Sequence, residues 1–214
     1  LGGNLCQGTR CWYYRYPHHM GGRIICYRKE KAPCQAVKGD NRYHAIMGAK
    51  VCFAVCPSDT AIALAALGAK LEIKGPQKAR KVSVDEFFTT RGNILEPDEL
   101  LTHIEIPKPA PEARQEFIKY TLRKPVDFAV ASVAVVVTMQ DRICQDTRIV
   151  LGAVAPIPVR AVDSEKLLKG KVATEKRIAA AAKAAVKNAK PMSMNAYKVE
   201  ITQALVKRAL LPIL

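Results

Sequence analysis

The most restrictive stretch of this chain lies past its middle. "EFIKYTL" (116–122), "FAVASVAVVVTM" (128–139) and "DTRIVLGAVA" (146–155) are rich in β-branched and apolar residues. "QDRICQD" (140–146) supplies a polar turn between the last two runs. Three such runs, closely spaced and bounded by polar residues, predict a three-stranded antiparallel sheet. The remaining chain is helical. "DSEKLLKG" (163–170) is a short helix closed by Gly170, "ATEKRIAAAAKAAVKNAK" (173–190) a long one ended by Pro191, and "NAYKVEITQALVKRALL" (195–211) the last. The C-terminal half is thus a sheet covered by helices.

The middle of the chain mixes both kinds of element. In "SDTAIALAALGAKLEIKG" (58–75), Ser58 or Asp59 can cap a short helix that ends at Gly68, and "KLEI" reads as a strand. "KVSVDEFF" (81–88) gives a further strand and turn, and "EPDELLTHIEIP" (96–107) a helical turn leading into a strand. The proline-bearing "PKPAPEA" (107–113) places a domain boundary near residue 110. The fold class is α+β.

Residues 1 to about 55 show no sustained period of 2 or 3.6 and predict a loop-dominated module organised by cysteines. A chain of 214 residues can bury a core without staples, so the cysteines need another explanation. Seven is an odd count for a disulfide framework, and no basic-then-apolar leader precedes them, which points to a reducing, cytoplasmic compartment. No apolar run reaches the roughly 18 residues of a membrane helix.

The net charge of +15 is uneven: residues 1–60 carry nine Lys or Arg against three acids, 61–110 seven against seven, and 111–214 eighteen against nine. A nucleic-acid surface, a polyanionic cofactor and an acidic partner subunit all fit that distribution. The cysteines are spaced Cys11 to Cys26 by fifteen, Cys26 to Cys34 by eight and Cys34 to Cys52 by eighteen, without a C-x-x-C knuckle. That argues against structural zinc. Four separate thiolates can close on one [4Fe-4S] cube, because each iron takes a single protein sulfur. An iron-sulfur site, a zinc site and unligated buried thiols all remain open from spacing. The adjacent His18 and His19 read as surface or hydrogen-bonding residues rather than a ligand pair.

"LGGNLCQ" (1–7), "CPSDTAIALAALGAKLEI" (56–73), "EPDELLTHIEIP", "KYTLRKPVDFAVASVAVVV" (119–137) and "IVLGAVAPIPVRA" (149–161) resemble, in order, the FAD-binding subunit of the xanthine dehydrogenase family of molybdenum hydroxylases. The resemblance implies that residues 1–109 are the C-terminal half of a PCMH-type FAD-binding domain, with an insertion at about 8–55. It also implies that residues 110–214 are the CO dehydrogenase flavoprotein-like C-terminal domain. It further implies FAD contacts from Gly2, Gly3, Asn4, Ser58, Asp59, Leu101 and Lys119. Glycines admit a pyrophosphate to the backbone, and a lysine can stabilise a reduced anionic flavin. Arg123 and Asp127 continue the motif as a structural pair.

The insertion is similar to that of the 4-hydroxybenzoyl-CoA reductase β subunit, which implies a [4Fe-4S] cluster on Cys11, Cys26, Cys34 and Cys52. Cys56 is the rival to Cys52, while Cys6 and Cys144 are packing thiols. The family's "AGGT"-type loop is absent from these residues, so either the chain is a fragment or a separate chain supplies the N-terminal half of the FAD site. By the same resemblance the subunit relays electrons, and no acid, base or nucleophile constellation stands out in the sequence to contradict that role. Its partners are a molybdopterin-binding large subunit, a [2Fe-2S] small subunit and an external carrier such as ferredoxin. The contrasting expectations are a zinc-containing nucleic-acid-binding protein and a cluster-only relay without FAD.

Overall fold

The computed structural model describes residues 1–17, 24–30, 32–124 and 126–213. His18 and His19 lie outside the described residues. Among the described residues up to 57 the chain is loop interrupted by single helical turns: α1 (Gly2–Leu5), α2 (Trp12–Arg15), α3 (Tyr27–Glu30) and a 3-10 turn at Gln35–Val37. No stretch there has the periodicity that would bury one face of a longer element, and the described residues have the loop-dominated character expected from the sequence.

Helix α4 (Asp59–Ala66) begins where Ser58 caps it, the Ser58 Oγ accepting from the Ala61 N–H at 3.0 Å. It ends at Gly68, whose φ of +69° is the left-handed conformation glycine adopts without a Cβ penalty. Next come β1 (Lys70–Lys74), β2 (Ala79–Ser83), the capped turn α5 (Val84–Phe87), a minimal hairpin of β3 (Phe88–Thr89) and β4 (Gly92–Asn93), and β5 (Leu100–Glu105). Strand β1 lies between β2 and β5, antiparallel to both. Alternation puts Leu71 and Ile73 on its buried face.

The C-terminal half builds β6 (Ala113–Tyr120), β7 (Ala131–Gln140) and β8 (Ile143–Gly152), paired antiparallel in chain order. Asp141 and Arg142 turn between β7 and β8 with φ of 49° and 65°, both left-handed, the two-residue turn whose twist suits a hairpin. Two further strands of two residues each, β9 (Val159–Arg160) and β10 (Lys171–Val172), pair with β8, so the expected three-stranded sheet has five strands. Strands that short leave no periodic signal. Three helices complete the chain, α6 (Val162–Leu168), α7 (Glu175–Ala185) and α8 (Tyr197–Leu210). The α7 helix stops before the expected Pro191, and Lys190 N–H instead donates to Ile46 O at 2.6 Å.

Two cores lie on opposite faces of β7. Val133, Val135 and Val137 pack with Leu168, Ile178, Val206 and Leu210 from α6 to α8. Ala134, together with Val150 of β8, packs with Leu5, Ile62, Leu71 and Phe87 from the N-terminal half. Burial on both faces explains why β7 is apolar without alternation. Helix α4 sits so close to β8 that a Cβ on Gly152 would lie 2.6 Å from Ile62 Cγ1 and overlap Ser132 Oγ. Among the described residues, no helix is long and apolar enough to cross a membrane.

Candidate functional site

The residues expected to hold FAD come from four elements and meet in three contacts. On α1, Gly2 faces β5, where its added Cβ would stand 3.8 Å from Leu101 O, while Gly3 faces open space. Asn4 Oδ1 accepts a 2.7 Å hydrogen bond from Ser58 Oγ, tying α1 to the cap of α4. Asp59, the first residue of α4, takes Lys119 Nζ of β6 on its Oδ2 at 2.6 Å. Leu101 packs half-buried against the N-terminal core. The donor chemistry suits an anionic dinucleotide: the first turn of a helix leaves backbone N–H groups without intrahelical acceptors, and two glycines keep them accessible.

Asp59 also lines a cavity of about 420 Å³, within the usual size range of cofactor and ligand sites. Its walls include Arg10, Trp12, Tyr43, His44 and Phe128, together with Arg123 and Asp127. The last two form the expected pair, with Arg123 Nη2 to Asp127 Oδ1 at 2.9 Å and Nε to Oδ2 at 3.1 Å. The guanidinium holds the Asp127 carboxyl down at about 2.

Three of the four expected ligand cysteines stand at the head of a helical turn. Cys11 caps α2, Cys34 caps the 3-10 turn, and Cys26 immediately precedes α3, its carbonyl accepting from Lys29 and Glu30 N–H. Burial raises the Cys11 thiol, while N–H groups of Tyr13 and Tyr14 oppose that shift and the nearby Cys34 and Cys52 add to it.

Cys11, Cys26, Cys34 and Cys52 line one small cavity of about 10 Å³, room for about one water. Among the described residues, no three His, Cys, Asp or Glu side chains are grouped closely enough to hold a single metal ion. Four thiolates on one zinc would have to approach within about 3.8 Å of each other; a cube with one iron per thiolate sets them further apart.

Cys56 lines the larger cavity instead, and burial pushes its thiol up to about 11. Cys144, inside β8, is likewise pushed to about 11, and burial raises Cys6. All seven cysteines are free thiols.

Several residues at this centre carry no sequence signal. His44 is buried, with Nε2 at 3.3 Å from Cys11 Sγ and Nδ1 without a hydrogen-bond partner. Burial, followed by the charge of Lys198, pushes its imidazole down to about 4. Arg28 donates from Nε to Cys52 Sγ at 3.1 Å, from Nη1 to Arg91 O at 2.6 Å and from Nη2 to Thr90 O at 2.7 Å.

Behind this layer Lys198 of α8 is fully buried, and its ammonium donates to Ala153 O at 2.6 Å, His44 O at 3.0 Å and Tyr43 O at 3.4 Å. Burial draws it down to about 7. Asn195 Nδ2 donates to the carbonyls of Asn41, His44 and Ala45. The far end of the chain therefore clamps the loop between Cys34 and Cys52. Lysine and asparagine at these positions are unremarkable in sequence; only the tertiary contact gives them a role.

Residues 1–109 match the FAD binding domain in molybdopterin dehydrogenase, and residues 116–213 match the CO dehydrogenase flavoprotein C-terminal domain. The chain belongs to the family of FAD-binding subunits of molybdopterin dehydrogenases. It is 30% identical over 173 residues to the aldehyde oxidoreductase FAD-binding subunit PaoB of Escherichia coli (strain K12), covering 76% of this chain and 52% of that one. Its identity to the carbon monoxide dehydrogenase medium chain of Afipia carboxidovorans is also 30%, over 78% of this chain and 60% of the relative. Among solved structures, a Cu,Mo-CO dehydrogenase superposes with a TM-score of 0.67 at 30% identity, over 72% of this chain and 55% of that one. Quinoline 2-oxidoreductase from Pseudomonas putida 86 superposes at 0.66 and 25% identity, over 99% of this chain and 78% of that one. The chain spans between half and three fifths of the length of these two curated relatives.

Proposed function

We propose that the chain is an electron-relay subunit of the 4-hydroxybenzoyl-CoA reductase type. In this reading it binds FAD through Gly2, Gly3, Asn4, Ser58, Asp59, Leu101 and Lys119, and a [4Fe-4S] cluster through Cys11, Cys26, Cys34 and Cys52. One observation carries the reading. Four cysteines spread over 42 positions line one cavity, and that cavity shares Cys11 and Ala54 with the larger one whose wall includes Asp59. The two candidate cofactor sites therefore adjoin.

Flavin and cluster together would supply the exchange of electron pairs for single electrons. The chain's own contribution is binding and electrostatics. Lys119 places a cation beside the flavin site, and the backbone N–H groups of Tyr13 and Tyr14 face the Cys11 thiol. The basic N-terminal block suits a cluster that its thiolates leave net negative. In the assembled complex the partners are a large molybdopterin subunit, a small [2Fe-2S] subunit and an external carrier such as ferredoxin.

The test is anaerobic purification with the partner subunits, followed by quantification of iron, zinc and flavin. Four irons and one flavin beyond the partners' share are expected. Zinc without iron or flavin, with salt-sensitive nucleic-acid binding, would establish the opposing reading.

A further inference from the structure

Cys11 and Cys52 each meet a nitrogen donor that belongs to neither expected cofactor set. We infer that Arg28 and His44 set the reduction potential of the cluster by placing one N–H each on the Cys52 and Cys11 thiolates. The inference rests on the cluster reading proposed above.

The physical reason is charge. Reduction adds an electron to a centre that its thiolates already make negative, so an N–H dipole or cation on a ligand sulfur stabilises the reduced form more than the oxidised one. Both donors are held in place. Arg28 spends its two terminal nitrogens on Thr90 O and Arg91 O at the β3–β4 turn, which leaves Nε directed at Cys52 Sγ. His44 has its ring edge-on to Trp12, with centroids 5.3 Å apart at 74°, and its carbonyl fixed by Lys198 and Asn195. A thiolate bound to iron has no proton to give, so the His44 nitrogen facing Cys11 must carry the hydrogen. Because the donors act on different thiolates and share no contact with each other, their effects should add.

The test is a potentiometric titration, read by low-temperature EPR, of the complex purified anaerobically, with iron counted in every sample. Wild type is compared with Arg28→Met, His44→Phe, His44→Gln and the Arg28→Met/His44→Phe double variant. At the potential where the wild-type cluster is half reduced, Arg28→Met should lower the reduced-to-oxidised ratio about tenfold, equivalent to about 59 mV for a one-electron couple. His44→Phe should lower it several-fold, the double variant by the product of the two, and His44→Gln, which keeps an N–H, should stay within about twofold of wild type. Unchanged ratios in Arg28→Met and His44→Phe proteins that retain four irons overturn the inference. Should one of these variants lose its cluster, the other decides. Wild-type protein without the iron overturns the cluster reading itself, a separate result.

Discussion

Asp59 Oδ2 and Lys119 Nζ stand 2.6 Å apart although sixty positions separate them, joining the first turn of α4 to the edge strand β6. Both side chains keep about a third of their surface open, so the pair contributes little to folding, about 1 kcal/mol at most. Its value lies in holding a cation at a defined place. Lys119→Met should therefore leave the melting temperature nearly unchanged while weakening flavin retention about tenfold. Equilibrium dialysis against FAD alongside thermal denaturation checks both halves of that expectation.

Cys52 and Cys56 are separated by three residues and line different cavities. Cys52→Ser is expected to abolish the [4Fe-4S] signal, whereas Cys56→Ser should retain all four irons. Iron analysis of the two anaerobically purified variants distinguishes them, and the reverse pattern would assign Cys56 as ligand.

Replacing Lys198 by methionine preserves much of the volume and removes the donor to three carbonyls in a fully buried site. Unpaired buried carbonyls are costly, so Lys198→Met should lose on the order of 3 kcal/mol in urea denaturation. The loop that carries Cys52 should become susceptible to proteolysis at the same time.

Glu99, just before β5, is bound by Arg80 through two hydrogen bonds, and the guanidinium holds its carboxyl at about 2, below the ordinary 4.5. A carboxyl depressed by folding stabilises the native state fully above about pH 4.5, and that stability is lost as the pH falls towards 2. Glu99→Gln should consequently lower the urea midpoint at pH 7 and show a smaller further drop between pH 5 and pH 3 than wild type. Equal drops in the two proteins would remove Glu99 from the acid transition.

The features legible in the sequence obey local rules. The continuous apolar run of β7, the Ser58 cap and the glycine stop at Gly68 each carry their physical reason within a few residues. The early end of α7 at Ala185 has no such local signal, and beyond it Lys190 N–H is taken by Ile46 O, a partner far away in the sequence. Strands β9 and β10 are two residues long and depend on β8 for their existence. At the candidate site, cysteines and glycines are conspicuous by type. Arg28 is one arginine among several in a basic loop, and His44 is an isolated histidine; both gain a role only through the sulfur each approaches.

The clamp formed by Asn195 and Lys198 on residues 41–45 fixes an order of events. Synthesis runs from the N-terminus, so all four cysteines leave the ribosome long before the helix that anchors their loop. The nascent chain thus carries the thiolates without the frame that gathers them. A centre on those thiolates gains its full frame only once α8 has formed and docked against residues 41–45.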